Sequence, residues 1–167
     1  MSNSVQGVLS VVGRVFLCGI FLASGARHAM DFKGTAGMTE KMRVPQPQIM
    51  LAGAIVFLIV GSVSVAIGFK ARVGALLLFV FLVLATHYFP DFWNINRDRL
   101  IERDKEVAAL DSEGIQKLVK KEEDAQKLNF MKNLALAGAM LFIVANGAGP
   151  WSVDAYLARK PGTAPAG

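Results

Sequence analysis

The stretch IMLAGAIVFLIVGSVSVAIG, Ile49 to Gly68, is followed by FKAR, Phe69 to Arg72, and then by VGALLLFVFLVLATHYF, Val73 to Phe89. Neither long run contains a lysine, arginine, aspartate or glutamate, and His87 is the only histidine in either. A hydrocarbon core about 30 Å thick is crossed by about 20 apolar residues in helical form. Helix is the required form, because no water is there to satisfy a backbone that leaves its own hydrogen bonds unmade. Two charge-free runs this long, separated by four residues, are not what buried helices of a soluble domain look like. They read as two membrane spans joined by a tight basic turn.

Two further spans follow on either side. The first covers about residues 5–28 and is interrupted by Arg14; the fourth covers about 130–148, with Lys132 and Asn133 in its opening turn. With the central pair at about 49–68 and 73–89, the expected fold is an all-α membrane protein. It is a bundle of four transmembrane helices in one domain, residues 1–160, with a charged, helical insertion between helices three and four. The Pro-Gly-Ala tail, 161–167, is expected to be disordered. The first span lacks a basic leader and carries a charge in mid-run, so it reads as a retained helix and not as a cleaved signal peptide.

Composition agrees with a membrane chain. Hydrophobic residues make up 53% and charged residues 19%, against about a quarter charged in soluble domains. The net charge of +5 is accounted for by basic loops facing anionic lipid, without nucleic acid. Cys18 is the single cysteine, which excludes an intramolecular disulfide, a CxxC pair and a cysteine metal site. Inside an apolar helix it serves as a small packing residue.

Lysine and arginine in the loops set the orientation. Arg27, Lys33, Lys41 and Arg43 flank or occupy the first loop, and eight basic residues from Arg97 to Lys127 occupy the third. Lys70, Arg72, Arg159 and Lys160 lie on the other side. Loops 29–48 and 90–129 are therefore expected in the cytoplasm and both termini outside. Tyr88, Phe89, Phe92 and Trp93 after helix three, and Trp151 and Tyr156 after helix four, suit the headgroup layers. In loop three, Leu100, Ile101, Val107, Ala108 and Leu110, then Ile115, Leu118 and Val119, recur at helical spacing between charges. Asp111-Ser112-Glu113-Gly114 reads as a break and a new helix start, giving two short amphipathic helices before the fourth span.

Ionisable groups within spans are costly and need a partner, a cavity or the surface. Arg14 is either an anion- or carbonyl-binding residue inside the bundle, or, with helix one beginning near Val11, a headgroup residue. Arg14, Cys18, Phe21, Gly25 and His28 share one helical stripe. Antiparallel connection brings Arg27, His28, His87, Lys132 and Asn133 to one end of the bundle. Histidines there can hydrogen-bond a quinone carbonyl or relay a proton; they can also simply tie loops and helix ends. Two histidines near helix ends make a poor haem site, and no metal set is present. Gly25, Gly53, Gly61, Gly68 and Gly138 are small residues suited to close helix contact.

These residues resemble the DoxX-like family of small membrane proteins. The run from Arg14 through Cys18 and Ser24 to Arg27 and His28 is similar to that family's opening helix. Pro45, Gly61, Gly68 and Arg72, the His87-Tyr-Phe-Pro-Asp-Phe-Trp93 ending, Phe130-Met-Lys-Asn133 and Gly147-Ala-Gly-Pro-Trp-Ser-Val-Asp154 follow in the family's order, over about residues 8–156. The family often has lysine in place of His28, and loop three is longer here. The resemblance implies a bacterial inner-membrane subunit accessory to a quinone-linked or redox-stress complex. Arg14, Arg27, His28, His87 and Asn133 are then the candidate ligand-binding residues, and a quinone or lipid-like molecule is the candidate ligand. The chain has no flavin, iron–sulfur or nicotinamide signature, so at most it is the membrane subunit of an oxidoreductase. The competing expectation is a non-enzymatic scaffold or chaperone that recruits a redox or other protein through loop 91–128. Homo-oligomerisation is left open.

Overall fold

The structure, a computed structural model, describes residues 3–41, 44–88 and 112–159. Among them are six helices and no strand: α1 (Asn3–Met30), α2 (Phe32–Lys41), α3 (Pro47–Ile67), α4 (Ala71–Tyr88), α5 (Ser112–Asn146) and α6 (Val153–Ala158). Three of them, α1, α3 and α5, are long and apolar enough to cross a membrane, and α4 is a shorter apolar helix. Its 18 residues span about 27 Å at 1.5 Å per residue, nearly the hydrocarbon thickness. The protein is thus an all-α membrane bundle.

The boundaries have local causes. Pro47 sits in the first turn of α3, where its missing amide costs nothing. Gly68 closes the helix in the left-handed region, with φ 71°, a conformation that glycine adopts without a Cβ penalty. Gly147 and Gly149, with φ 78° and 85°, follow the end of α5 at Asn146, close to the expected end of the fourth span at 148.

α1 packs on α3, α3 on α4, and α4 on α5. One core joins all four: Cys18 and Phe21, Leu58 and Val65, Ala75 and Leu78, Leu136 and Met140. The predicted stripe on α1 is the packed face, with Arg14, Cys18, Phe21 and Gly25 buried and His28 half-buried. In lipid this association rests on close packing, since leaving the core exposes the same groups to hydrocarbon. Small residues supply the closeness. A Cβ on Gly61 would lie 2.9 Å from Leu78 and 3.0 Å from the Gly74 carbonyl, and one on Gly25 would lie 3.2 Å from Leu58. Gly53 and Gly138 differ from expectation: nothing lies within 4 Å of a Cβ at either, so they face outward and contribute no contact here.

One segment read as loop is helical, and one helix expected to be short runs on into the fourth span. Within 29–48, Asp31 accepts the Gly34 amide through Oδ1 at 3.1 Å, which caps the start of α2. α2 then packs on α3, with Ala36 and Thr39 buried. The second is the end of loop three. The expected helix start at Ser112 is present, but the helix does not stop before the fourth span. α5 runs 35 residues, about 52 Å, so the amphipathic piece and the span are one rod. No glycine or proline lies between Ile115 and Ala137 to interrupt it. The expected helix over Leu100–Leu110, the aromatic cluster Phe89, Phe92 and Trp93, and the tail 161–167 lie outside the described residues.

Candidate functional site

The up-and-down connection gives the bundle two ends. The C-terminus of α1, the start of α3 and the C-terminus of α4 meet at one of them, which is also where the membrane part of α5 begins. The other end holds the starts of α1 and α4, the ends of α3 and α5, and all of α6.

At the first end lie four of the five sequence candidates. Arg27 and His28 stand in the last turn of α1, and His87 in the last turn of α4. Asn133 lies early in the apolar part of α5. His28 and Asn133 are half-buried, while Arg27 and His87 are exposed. Lys132 is also exposed, and its ammonium donates to Asn129 Oδ1 at 3.1 Å. α2 lies beside this end, packed on α3. The group therefore offers imidazole, guanidinium and carboxamide donors at a membrane boundary, the set that recognises a carbonyl or a phosphate oxygen.

Arg14 is not in this group. Fourteen residues separate it from His28, about 21 Å along the helix, and its side chain belongs to the opposite end. It is only 4% exposed. Its Nε donates to the Ser10 carbonyl at 3.2 Å, Nη1 to the Val65 carbonyl at 3.4 Å, and Nη2 to the Trp151 carbonyl. A guanidinium has five N–H donors, so most are committed to backbone oxygens. The alternative with helix one beginning near Val11 is not met, whereas Arg14 does bind carbonyls inside the bundle, those of the chain itself. Helix one starts at Asn3, well before Val11, and Arg14 is buried as the tie between α1, the last turn of α3 and the segment after α5.

Other residues, none of them among the candidate ligand-binding residues, complete this clasp. Ser10 Oγ donates to the Ala148 carbonyl at 2.6 Å. Asp154 accepts the Lys70 amide at 2.8 Å through Oδ1 and the Ala71 amide at 3.1 Å through Oδ2, while its own amide donates to the Gly68 carbonyl at 2.9 Å. Arg72 Nη2 reaches the Ala145 carbonyl at 3.4 Å. Each charge complements a helix dipole: the cations Arg14 and Arg72 sit at the C-termini of α3 and α5, and the anion Asp154 sits at the N-terminus of α4. Gly7 lies against the Trp151 indole, whose ring carbons would be 2.6 Å from a Cβ there. A sequence signal existed for Asp154, the one acid at this end of the chain. None existed for acceptors that are backbone carbonyls.

The DoxX family model matches residues 9–91, which carry α1 to α4. The chain is 25% identical over 153 residues to the inner membrane protein YphA of Escherichia coli (strain K12), covering 91% of this chain and 92% of that protein. It is 27% identical over 158 residues to the inner membrane protein YqjF of the same organism, covering 95% and 98%. No solved structure matches.

Proposed function

The chain belongs, over residues 9–91, to the DoxX family, and from that premise we propose that it is a multi-pass subunit of the bacterial inner membrane that binds a quinone or lipid-like molecule at the histidine end of the bundle. The inner-membrane placement follows its two relatives, and loop charge puts both termini outside. What supports the site is helix order, which puts Arg27 and His28 in the last turn of α1, His87 in the last turn of α4 and Asn133 early in the apolar part of α5, all toward one end of the bundle. Neutral histidine donates one N–H and accepts at the other nitrogen, which suits a carbonyl whose proton demand changes on reduction. Arg27 adds a fixed charge beside it. Where electrons move, a partner subunit of the redox or oxidative-stress complex supplies the oxidising or reducing centre, and this chain positions the ligand.

The test is extraction of the detergent-purified protein followed by mass spectrometry and a reduced-minus-oxidised spectrum. Near-stoichiometric quinone, lost in the His28→Ala/His87→Ala double variant, is the expected outcome. Equal retention in wild type and variant overturns the site.

The length of α5 favours a second reading, a scaffold that recruits a protein through 91–128. The rod exceeds a bilayer core of about 30 Å by roughly 20 Å. A cavity of about 600 Å³ lies beside its first half, lined by Ile115, Val119, Lys120, Glu123 and Lys127 among others. Deleting 96–127 separates the readings: partner loss with ligand kept favours the scaffold, and ligand loss favours the site.

A further inference from the structure

The clasp fixes more than the helix ends. Asp154 is held inward by two amides of the α3–α4 turn, and Ser152 caps α6 by accepting the Ala155 amide at 3.2 Å. With Asp154 turned in, the other side of this short helix is turned out. Val153, Tyr156 and Leu157 are 37%, 68% and 48% exposed, and Trp151 beside them is 50% exposed. The backbone bonds of Asp154 to Gly68, Lys70 and Ala71 hold this helix beside the end of α3, a candidate membrane span on which Val63 and Ile67 are exposed, as is Phe69 after it. Exposed apolar side chains beside the end of a span, with one tyrosine and one tryptophan among them, have the composition of the headgroup boundary.

Charge at this end identifies the lipid. Arg14, Lys70, Arg72 and Arg159 gather there against Asp154 alone, and both carboxylate oxygens of Asp154 are committed to backbone amides. Arg14 and Arg72 are turned to carbonyls. Lys70, whose Nζ lies 5.9 Å from the Phe69 ring centre, and Arg159 are exposed, one in the α3–α4 turn that Asp154 binds and one at the end of α6.

We propose that Trp151–Arg159 is an interfacial hook, pinned by Asp154, that lies in the headgroup layer and selects anionic phospholipid through Lys70 and Arg159. This is independent of the ligand proposed for the opposite end. Burial of Val153 and Leu157 sets its depth, and the two cations set its preference, at about fivefold per charge for a basic residue near an anionic surface.

The test uses the full chain carrying Trp93→Phe, which leaves Trp151 as the one tryptophan, reconstituted in vesicles. Lipids brominated near the headgroup should quench Trp151 more than lipids brominated near the chain ends, and aqueous acrylamide should quench it weakly. In equimolar mixtures, brominated phosphatidylglycerol should quench more than brominated phosphatidylcholine. That preference should fall about fivefold per charge in Lys70→Asn and Arg159→Gln, with the depth profile unchanged. Asparagine is chosen because residue 70 has a positive φ of 49°, which it tolerates. Strong acrylamide quenching with little effect of either bromine depth would place the hook in water and overturn the proposal. Retention of the phosphatidylglycerol preference in the double variant would overturn the lipid selection.

Discussion

The guanidinium of Arg14 donates to the backbone carbonyl of Trp151, 137 positions along the chain. Through this bond and those to Ser10 and Val65, a buried cation in a membrane helix is satisfied by backbone carbonyl oxygens. Desolvating a charge is expensive without such partners. Val65 lies in the last turn of α3, where its carbonyl also accepts the Gly68 amide at 3.2 Å, and Trp151 follows α5, so the guanidinium ties the first helix to the end of α3 and to the segment after α5.

Replacing Arg14 with methionine removes all three bonds, and the Trp151 carbonyl loses its tie to α1. Net values for hydrogen bonds to charged groups suggest a loss of about 2–4 kcal/mol. Lysine restores the charge but not the fork of donors, so Arg14→Lys should recover less than half of that loss. Thermal unfolding in a mild detergent measures both. A lysine variant as stable as wild type would show that charge alone, and not the forked geometry, holds the clasp.

Asp154→Ala takes the cap from α4, and the expected cost is about 1–2 kcal/mol. Asp154→Asn retains one acceptor and loses the favourable charge at the helix start, worth about 0.3–1 kcal/mol, so it should fall between. If the order of melting temperatures were alanine above asparagine, the two amide contacts would not be the stabilising feature.

The sequence made the spans legible because they depend on one local property, freedom from charge over a bilayer's thickness. The gathering of Arg27, His28, His87 and Asn133 at one end was legible for a related reason, since antiparallel connection alone fixes which helix ends meet. The clasp was not. Its acceptors, at Ser10, Val65, Ala148 and Trp151, are main-chain atoms common to every residue type. Arg14 was visible as an anomaly, but two of its three partners lie 51 and 137 positions away. The length of α5 was obscured by a change of environment: residues 112–128 are polar on one side and 130–146 are apolar, and that contrast reads as a boundary although the backbone crosses it unbroken. The short α2 carried its signal in Asp31, a capping residue three before Gly34, inside a segment taken for loop.

The glycines separate into two kinds that a substitution series distinguishes. Gly61→Ala forces a Cβ to within about 3 Å of Leu78 and the Gly74 carbonyl, an overpacking expected to cost about 1–3 kcal/mol. Gly138→Ala meets open space and gains helix propensity, so it should be neutral or stabilising by up to about 1 kcal/mol. Detergent melting curves of the two single variants decide the matter. Destabilisation at Gly138 equal to that at Gly61 would mean that the outward face of α5 is a packed surface in the purified protein, as in a homo-oligomer.

The continuity of α5 can be measured directly. In a Cys18→Ala background, spin labels at Lys117 and Phe142, both exposed, are 25 positions apart. On one straight helix this is about 37 Å between backbones, with a narrow distribution. A hinge before Phe130, where the apolar span was expected to begin, would shorten and broaden that distance. Ala125→Pro should produce such broadening, because proline removes an internal hydrogen bond and clashes with the preceding turn. A wild-type distribution already as broad as that of the proline variant would mean that the projecting segment moves independently of the membrane core. A single narrow distance means that a partner held on the Lys120 and Lys127 side is rigidly connected to Leu136, Met140 and the clasp.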